Sequence, residues 1–178
     1  MRTLIAVMAC AMLSGCGLLK GGMPPAHLLS DPNRFAMLNT VHLDEVEAAE
    51  LAKHQALFEE VRMCADRLMH DHAAMIQDLH QLAQRINMKP ETPVLAALAR
   101  KDHMEIMQDL RKRSGPDFDH AYVTSQIMMH EQTIQFIDET AESANNLLLR
   151  EHMRNMHRDL EGHLSTVKVI KRHLVAQH

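Results

Sequence analysis

The 178-residue chain has no tryptophan and only five aromatic side chains, Phe35, Phe58, Phe118, Tyr122 and Phe136. That leaves no stacking platform for bases or sugars. It has no glycine-rich phosphate loop, and serines such as Ser125, Ser143 and Ser165 stand outside any nucleophile motif. Runs of alternating apolar and polar residues are absent, which excludes a β-rich fold. Positive charge is not clustered: 19 Lys+Arg are scattered among 23 Asp+Glu. A nucleic-acid footprint, which needs a basic patch, is therefore excluded.

Cysteine is scarce too, and its placement is informative. Arg2 is followed by an apolar run from Leu4 to Leu13 and then by Leu13-Ser14-Gly15-Cys16. The run is too short to span a bilayer and has the form of a signal peptide, residues 1–15. The tetrapeptide resembles the lipobox of bacterial lipoproteins, whose cysteine becomes the lipid-modified first residue of the mature chain. Cys16 is thus expected to anchor the protein to a membrane. Gly17 after it, rather than Asp, resembles the pattern that sends lipoproteins to the outer membrane, with the domain facing the periplasm. Cleavage removes Cys10, so Cys64 has no partner for an internal disulfide and is expected to be an inert small hydrophobe. Loss of Arg2 lowers Lys+Arg to 18, leaving a mildly acidic mature chain. Residues 16–31, with several glycines and Pro24-Pro25, form a flexible tether.

The domain proper is expected over residues 32–178, with 46% of the chain hydrophobic and enough length for a real core. Asp31-Pro32 has the form of an N-cap followed by proline in the first turn. Helix one runs to about Gln55 and helix two from about Glu59 to Asn87. Lys89-Pro90-Glu91-Thr92-Pro93 interrupts, and helix three follows from about Val94 to Arg113, with Leu95, Leu98, Ile106 and Leu110 on one face. Ser114-Gly115-Pro116-Asp117 breaks again. Helix four then runs to about Glu142, and helix five from about Asn146 to Val175.

Four of these helices carry heptad seams, and each seam is broken once by a metal-ligand residue. They are Leu38, Val41, Glu45, Ala48, Ala52; then Val61, Ala65, Leu68, His72, Met75, Leu79, Leu82, Ile86; then Val123, Ile127, His130, Ile134, Ile137, Ala141; and last Leu149, Met153, Met156, Leu160, His163, Val167, Ile170, Leu174. The alternating four- and three-residue spacing puts each set on one buried stripe. His130 and His163 are equidistant from Asn146-Leu147, beside the best turn signal there. Glu45 and His72 are equidistant from Phe58-Glu59, where the seam phase breaks. In two antiparallel hairpins, both pairs therefore stand level. Helix three can travel the length of the bundle between the hairpins, the ferritin-like arrangement of an all-α four-helix bundle with one crossover helix.

Three imidazoles and a carboxylate buried at one level without an ion would carry heavy desolvation costs. Glu45, His72, His130 and His163 are accordingly the expected ligands of a divalent transition metal. Their nitrogen-rich set disfavours calcium and magnesium, and zinc suits a tetrahedral cage better than copper or iron. Four protein ligands would favour binding or structural use over catalysis. His42, one turn before Glu45, could join or cap the site. Asp159 lies four residues before His163 and could orient an imidazole. Asp71 and Glu131 are turned about 100° from their neighbouring histidines. The competing reading is a metal-free Glu–His network that fixes helix register in an envelope structural or interaction module. A third reading is an enzyme that uses the same metal with one ligand swung away. Soft patches such as His103, Met104 and Met107, or His152, Met153, Met156 and His157, would suit Cu(I). The paired Glu-x-x-His motifs of di-iron carboxylate bundles are missing.

At Glu45, Asp71-His72, Phe118-Asp119-x-x-Tyr122, His130-Glu131 and His163 the chain resembles a family of exported bacterial ferritin-like proteins, catalogued as domain of unknown function 4142. The likeness covers about Phe35 to Leu174. It implies the bundle and a shared site at the four seam residues, and adds Asp119 and Tyr122 to that site's surroundings. It implies no reaction.

Overall fold

A computed structural model of the chain describes residues 28–89, 91 and 94–176. The signal segment, Cys16 and the tether as far as residue 27 lie outside the described residues. The described chain forms α1 (Asp31–Gln55), α2 (Glu59–Arg85), α3 (Val94–Leu110), α4 (Gly115–Thr140), a 3-10 turn (Ala141–Ser143) and α5 (Leu147–Ala176), with no strand among the described residues. Helices α1 and α2 form one hairpin and α4 and α5 the other; α1 also meets α4, and α2 meets α5, which closes a four-helix bundle. The crossover helix α3 lies outside it, mainly on α1 and more loosely on α4. Among the described residues no helix is long and apolar enough to cross a membrane.

Several helix ends differ from the sequence expectation. The N-cap of α1 is Ser30, whose side chain accepts the Asn33 backbone N–H at 3.2 Å, and not Asp31. Asp31 instead ties down the turn between α4 and α5, where its two carboxylate oxygens accept the backbone N–H groups of Asn145 (3.0 Å) and Asn146 (2.8 Å). Buried Arg34 joins the same corner through Asp31 (3.2 Å), the Thr140 carbonyl (3.1 Å) and Ser143 Oγ (2.6 Å). Helix α2 stops at Arg85 because Asn87 turns left-handed (φ 50°), and its N–H and that of Met88 return to the carbonyls of Gln84 and Ala83. Those are the two bonds of a Schellman cap, with asparagine in the usual glycine place.

The single-faced helices match their seams. In α5 the eight buried residues are the eight seam residues, and in α2 the buried set is the seam through Leu82 plus Ala83. The other two central helices are buried on a wider arc. Helix α4 also buries Phe118, Asp119, Tyr122, Gln126, Met129, Thr133 and Phe136, whereas Ile127 and Ile134 are only half-buried. Helix α1 adds Arg34, Met37, His42, Asp44 and Ala49. In α1 the cause is α3, which covers its second face, and at the start of α4 the α1–α2 turn covers Asp119. The expected face of α3 holds at Leu110 and, half-buried, at Leu95 and Ile106, but is corrected elsewhere: Ala96, Ala99, His103 and Met107 are buried, and Leu98 is 43% exposed. Small Ala96 and Ala99 allow a close approach, and Arg100 reinforces it through Asp44 and Glu47 on α1.

The apolar core is split in two. One cluster, including Leu38, Leu79, Ile137 and Leu160, fills the end near the α4–α5 turn. The other, including Ala52, Leu68, Val123 and Val167, fills the end near the α1–α2 turn. The polar seam residues occupy the layer between them.

Candidate metal centre

That layer brings together His72, His130 and His163, one ring nitrogen of each lying within 4.8 Å of the other two. Their ring centroids stand 5.3 Å (His72–His130), 5.2 Å (His72–His163) and 5.5 Å (His130–His163) apart, a nearly equilateral triangle. Three helices supply it: α2, α4 and α5.

Each imidazole is held from behind, and the holders fix where the protons sit. His42 Nε2 meets the Met156 thioether at 3.0 Å. A thioether cannot donate, so that nitrogen carries the hydrogen. The other nitrogen, His42 Nδ1, must then accept across its 2.9 Å contact with His72 Nδ1. His72 Nδ1 donates, which leaves His72 Nε2 with a bare lone pair. His130 Nδ1 lies 2.9 Å from the Gln126 carbonyl, again an acceptor only, so His130 Nε2 is bare. His163 Nε2 lies 3.1 Å from the Asp71 carboxylate, and His163 Nδ1 is buried without a partner. The nitrogens His72 Nε2 and His130 Nε2 face each other at 3.4 Å with no proton between them. Two acceptors at that distance repel, unless a cation lies between them. Two nitrogens bound at ~2.0–2.1 Å to one tetrahedral ion stand about 3.4 Å apart.

The electrostatics agree. Burial lowers His42 to about 3 and His130 to about 4, and holds His72 well below its ordinary value, with neighbouring imidazoles adding to the effect at His42 and His72. His163 is lowered as well, by burial and by His130, against the pull of Asp71. All four rings are therefore neutral near pH 7, the form that ligates. Burial pushes Glu45 up to about 8, opposed by the neighbouring Gln126 amide.

Glu45 is not one of the triangle's corners. Its Oε1 lies 3.3 Å from His130 Nδ1, the nitrogen turned away from His72, and its Oε2 is buried without a hydrogen bond. Of the four expected ligands, the structure thus brings three histidines together and places the carboxylate behind one of them. Height along α1 was legible in the seam, but the side of His130 on which the carboxylate falls was not. His42 and Asp71 hold ring nitrogens directly. Asp159 lines a groove between α2 and α5, about 460 Å³ in volume, whose walls include Asp71 and His163. His163, 8% exposed against 0% for His72 and His130, is the corner nearest that groove. Glu131 lies on the surface, paired with Lys168 at 2.7 Å. Tyr122 is buried against Phe118 with its hydroxyl unpartnered. Asp119 is engaged elsewhere: its oxygens accept the backbone N–H groups of Leu57 (2.9 Å) and Phe58 (2.8 Å), in the α1–α2 turn.

The sequence profile of the family described as domain of unknown function DUF4142 matches residues 21–170. The chain belongs to the DUF4142 family. No curated protein and no solved structure matches it. The residues of the two soft methionine patches in this family member differ in burial. Met104 is 52% exposed while His103 and Met107 are buried. Met153 and Met156 are core residues, and His157 pairs with Asp138 at 3.0 Å. Cys64 is the inert thiol expected, its pKa raised by burial to about 11. Sequence reasoning missed the Gln126 carbonyl and the Met156 sulfur as proton-fixing acceptors. The first is a backbone group with no signal in side-chain pattern, and the second is indistinguishable from ordinary core packing.

Proposed function

We propose that this DUF4142 protein is an envelope lipoprotein that binds a divalent transition metal through His72, His130 and His163. The observation that carries the reading is the 3.4 Å approach of two ring nitrogens, neither of which has a proton to share. A divalent ion would satisfy both, together with the unpartnered His163 Nδ1. Glu45 would stand behind His130 Nδ1, and His42 and Asp71 would orient the other two rings, as carboxylate and hydrogen-bonded partners do for histidine ligands elsewhere. Zinc fits three neutral imidazoles, and three protein ligands leave a fourth position for water, the donor count of zinc sites that do chemistry. The Leu13-Ser14-Gly15-Cys16 segment supports lipid attachment and an outer-membrane location facing the periplasm.

The test is metal content of the full chain isolated from its own envelope, against a His72→Ala/His130→Ala variant shown by circular dichroism to remain helical. Stoichiometric zinc in the wild type and loss of it in the variant are expected. Equal, sub-stoichiometric metal in both would overturn the reading. The metal-free network is the second reading, supported by the unbroken hydrogen-bond chain Met156–His42–His72. It requires a melting temperature indifferent to zinc and to chelator.

A further inference from the structure

A second feature lies away from the histidine triangle, where α3 leans on α1 and leaves a gap toward α4. The gap is a cavity of about 570 Å³, with Ala99, Ile106, Leu110, Ala121, Met128 and Met129 on its walls and Val41 and Asp44 on its floor. That volume suits a small organic molecule. His103, 3% exposed, also lines it. His103 Nε2 stands 3.4 Å from the Glu47 carboxylate, an acceptor only, but neither ring nitrogen of His103 has a hydrogen-bond partner. With the hydrogen on Nε2, toward Glu47, Nδ1 is a buried, bare lone pair. A buried acceptor of this kind costs free energy until a donor reaches it.

The charge around the cavity selects the donor. Asp44, Asp102, Glu105, Asp109 and Asp117 line it; Arg113 pairs with Asp109 and Asp117 and Arg100 with Asp44, so the acidic groups still outnumber the guanidinium groups that meet them. Asp44, Glu47 and His103 also stand close enough to suggest a metal cluster. Arg100 already occupies the cationic place between Asp44 and Glu47, bound to both carboxylates, so a second ion has no role there. We propose that the cavity is a binding site for an apolar organic cation, an amine whose N–H is accepted by His103 Nδ1 and whose hydrocarbon body lies on Ala99, Leu110, Met128 and Met129. The acidic residues favour ammonium over a neutral or anionic head group of the same shape. Nothing in this site depends on metal at the triangle.

The experiment compares three ligands with one apolar body, 1-adamantylamine, 1-adamantanol and 1-adamantanecarboxylate, by titration calorimetry. It uses the full chain with Cys16→Ser, so that no lipid or detergent competes. The amine is expected to bind saturably and at least about tenfold more tightly than the carboxylate, the equivalent of one charge-assisted hydrogen bond. Ala121→Trp, which fills the cavity, should abolish binding, and His103→Leu should weaken the amine and the alcohol, both of which donate to it. Methyl NMR shifts at Met128 and Met129 on addition of the amine locate the ligand even if a variant folds poorly. Absence of saturable amine binding, or a carboxylate that binds as tightly as the amine, overturns the proposal.

Discussion

Asp31 and Asp119 make the same contact at opposite ends of the bundle. Each sits in the first turns of the leading helix of one hairpin, and each accepts two successive backbone N–H groups from the turn of the other hairpin. The hairpins therefore lock each other reciprocally, with a carboxylate as the latch at either end.

Replacing Asp119 by Ala leaves two part-buried donors, Leu57 N–H and Phe58 N–H, without acceptors. Charge-assisted bonds of this kind contribute enough that a loss of about 2–4 kcal/mol is expected. Urea denaturation should show a lower midpoint with unchanged slope, and a loss under 0.5 kcal/mol, roughly the scale of a surface change, would contradict the latch.

Zinc at a hundredfold excess over its dissociation constant should stabilise the wild type by about 2.7 kcal/mol. His130→Ala should lose that increment while retaining most of its metal-free stability. Thermal melts with zinc and with chelator measure both, and an increment that survives in His130→Ala would place the ion elsewhere.

Metal-free protein should be most stable near pH 6.5. The folded-state values of His42 and His130 lie below the ordinary 6.5, at about 3 and about 4. Their contribution is complete above 6.5 and is lost as pH falls, by roughly 1.4 kcal/mol per pH unit for each ring. Glu45 runs the other way. Its folded-state value of about 8 lies above the ordinary 4.5, so its contribution is complete at low pH and fades as pH rises toward 8. Below 6.5 the histidines outnumber it; between 6.5 and 8 it acts alone. Glu45→Gln should flatten the alkaline side and steepen the acid side between about 4.5 and 6.5, where Glu45 opposes the histidines, which chemical denaturation across pH 4–9 would reveal.

Asp71→Ala should loosen the corner of the triangle that faces the α2–α5 groove. His163 loses its 3.1 Å acceptor, and metal affinity is expected to fall about 10–100-fold, with faster release. Stopped-flow transfer to a chelator measures the rate. Glu131→Gln, at a surface pair with Lys168, serves as the control and should exchange like wild type.

The parts of the fold legible in the sequence were those with one buried face. In α2 and α5 the heptad spacing names nearly every buried side chain, because each helix meets only the bundle interior. Helices α1 and α4 carry two buried faces, and a single seam describes half of each. The face of α3 was misjudged at Leu98 because its apolar bulk outweighed the small Ala96 and Ala99, which the close packing needed. At the site, His72, His130 and His163 follow from seam position alone, as does the height of Glu45. The direction of each ring does not. It depends on a carbonyl, a thioether and a half-buried carboxylate, none of which leaves a periodic trace.

Cys64 is free, so no disulfide restrains the described residues, but the triangle offers another kind of cross-link. Its corners come from both hairpins: His72 belongs to the first, and His130, 58 residues later, to the second. An ion shared by them would close that loop, α3 included. In the chain-entropy picture a closure of this length is worth about 4 kcal/mol against the unfolded state. Unlike a disulfide, it would form without an oxidant and could be undone by any competing ligand that reaches His163.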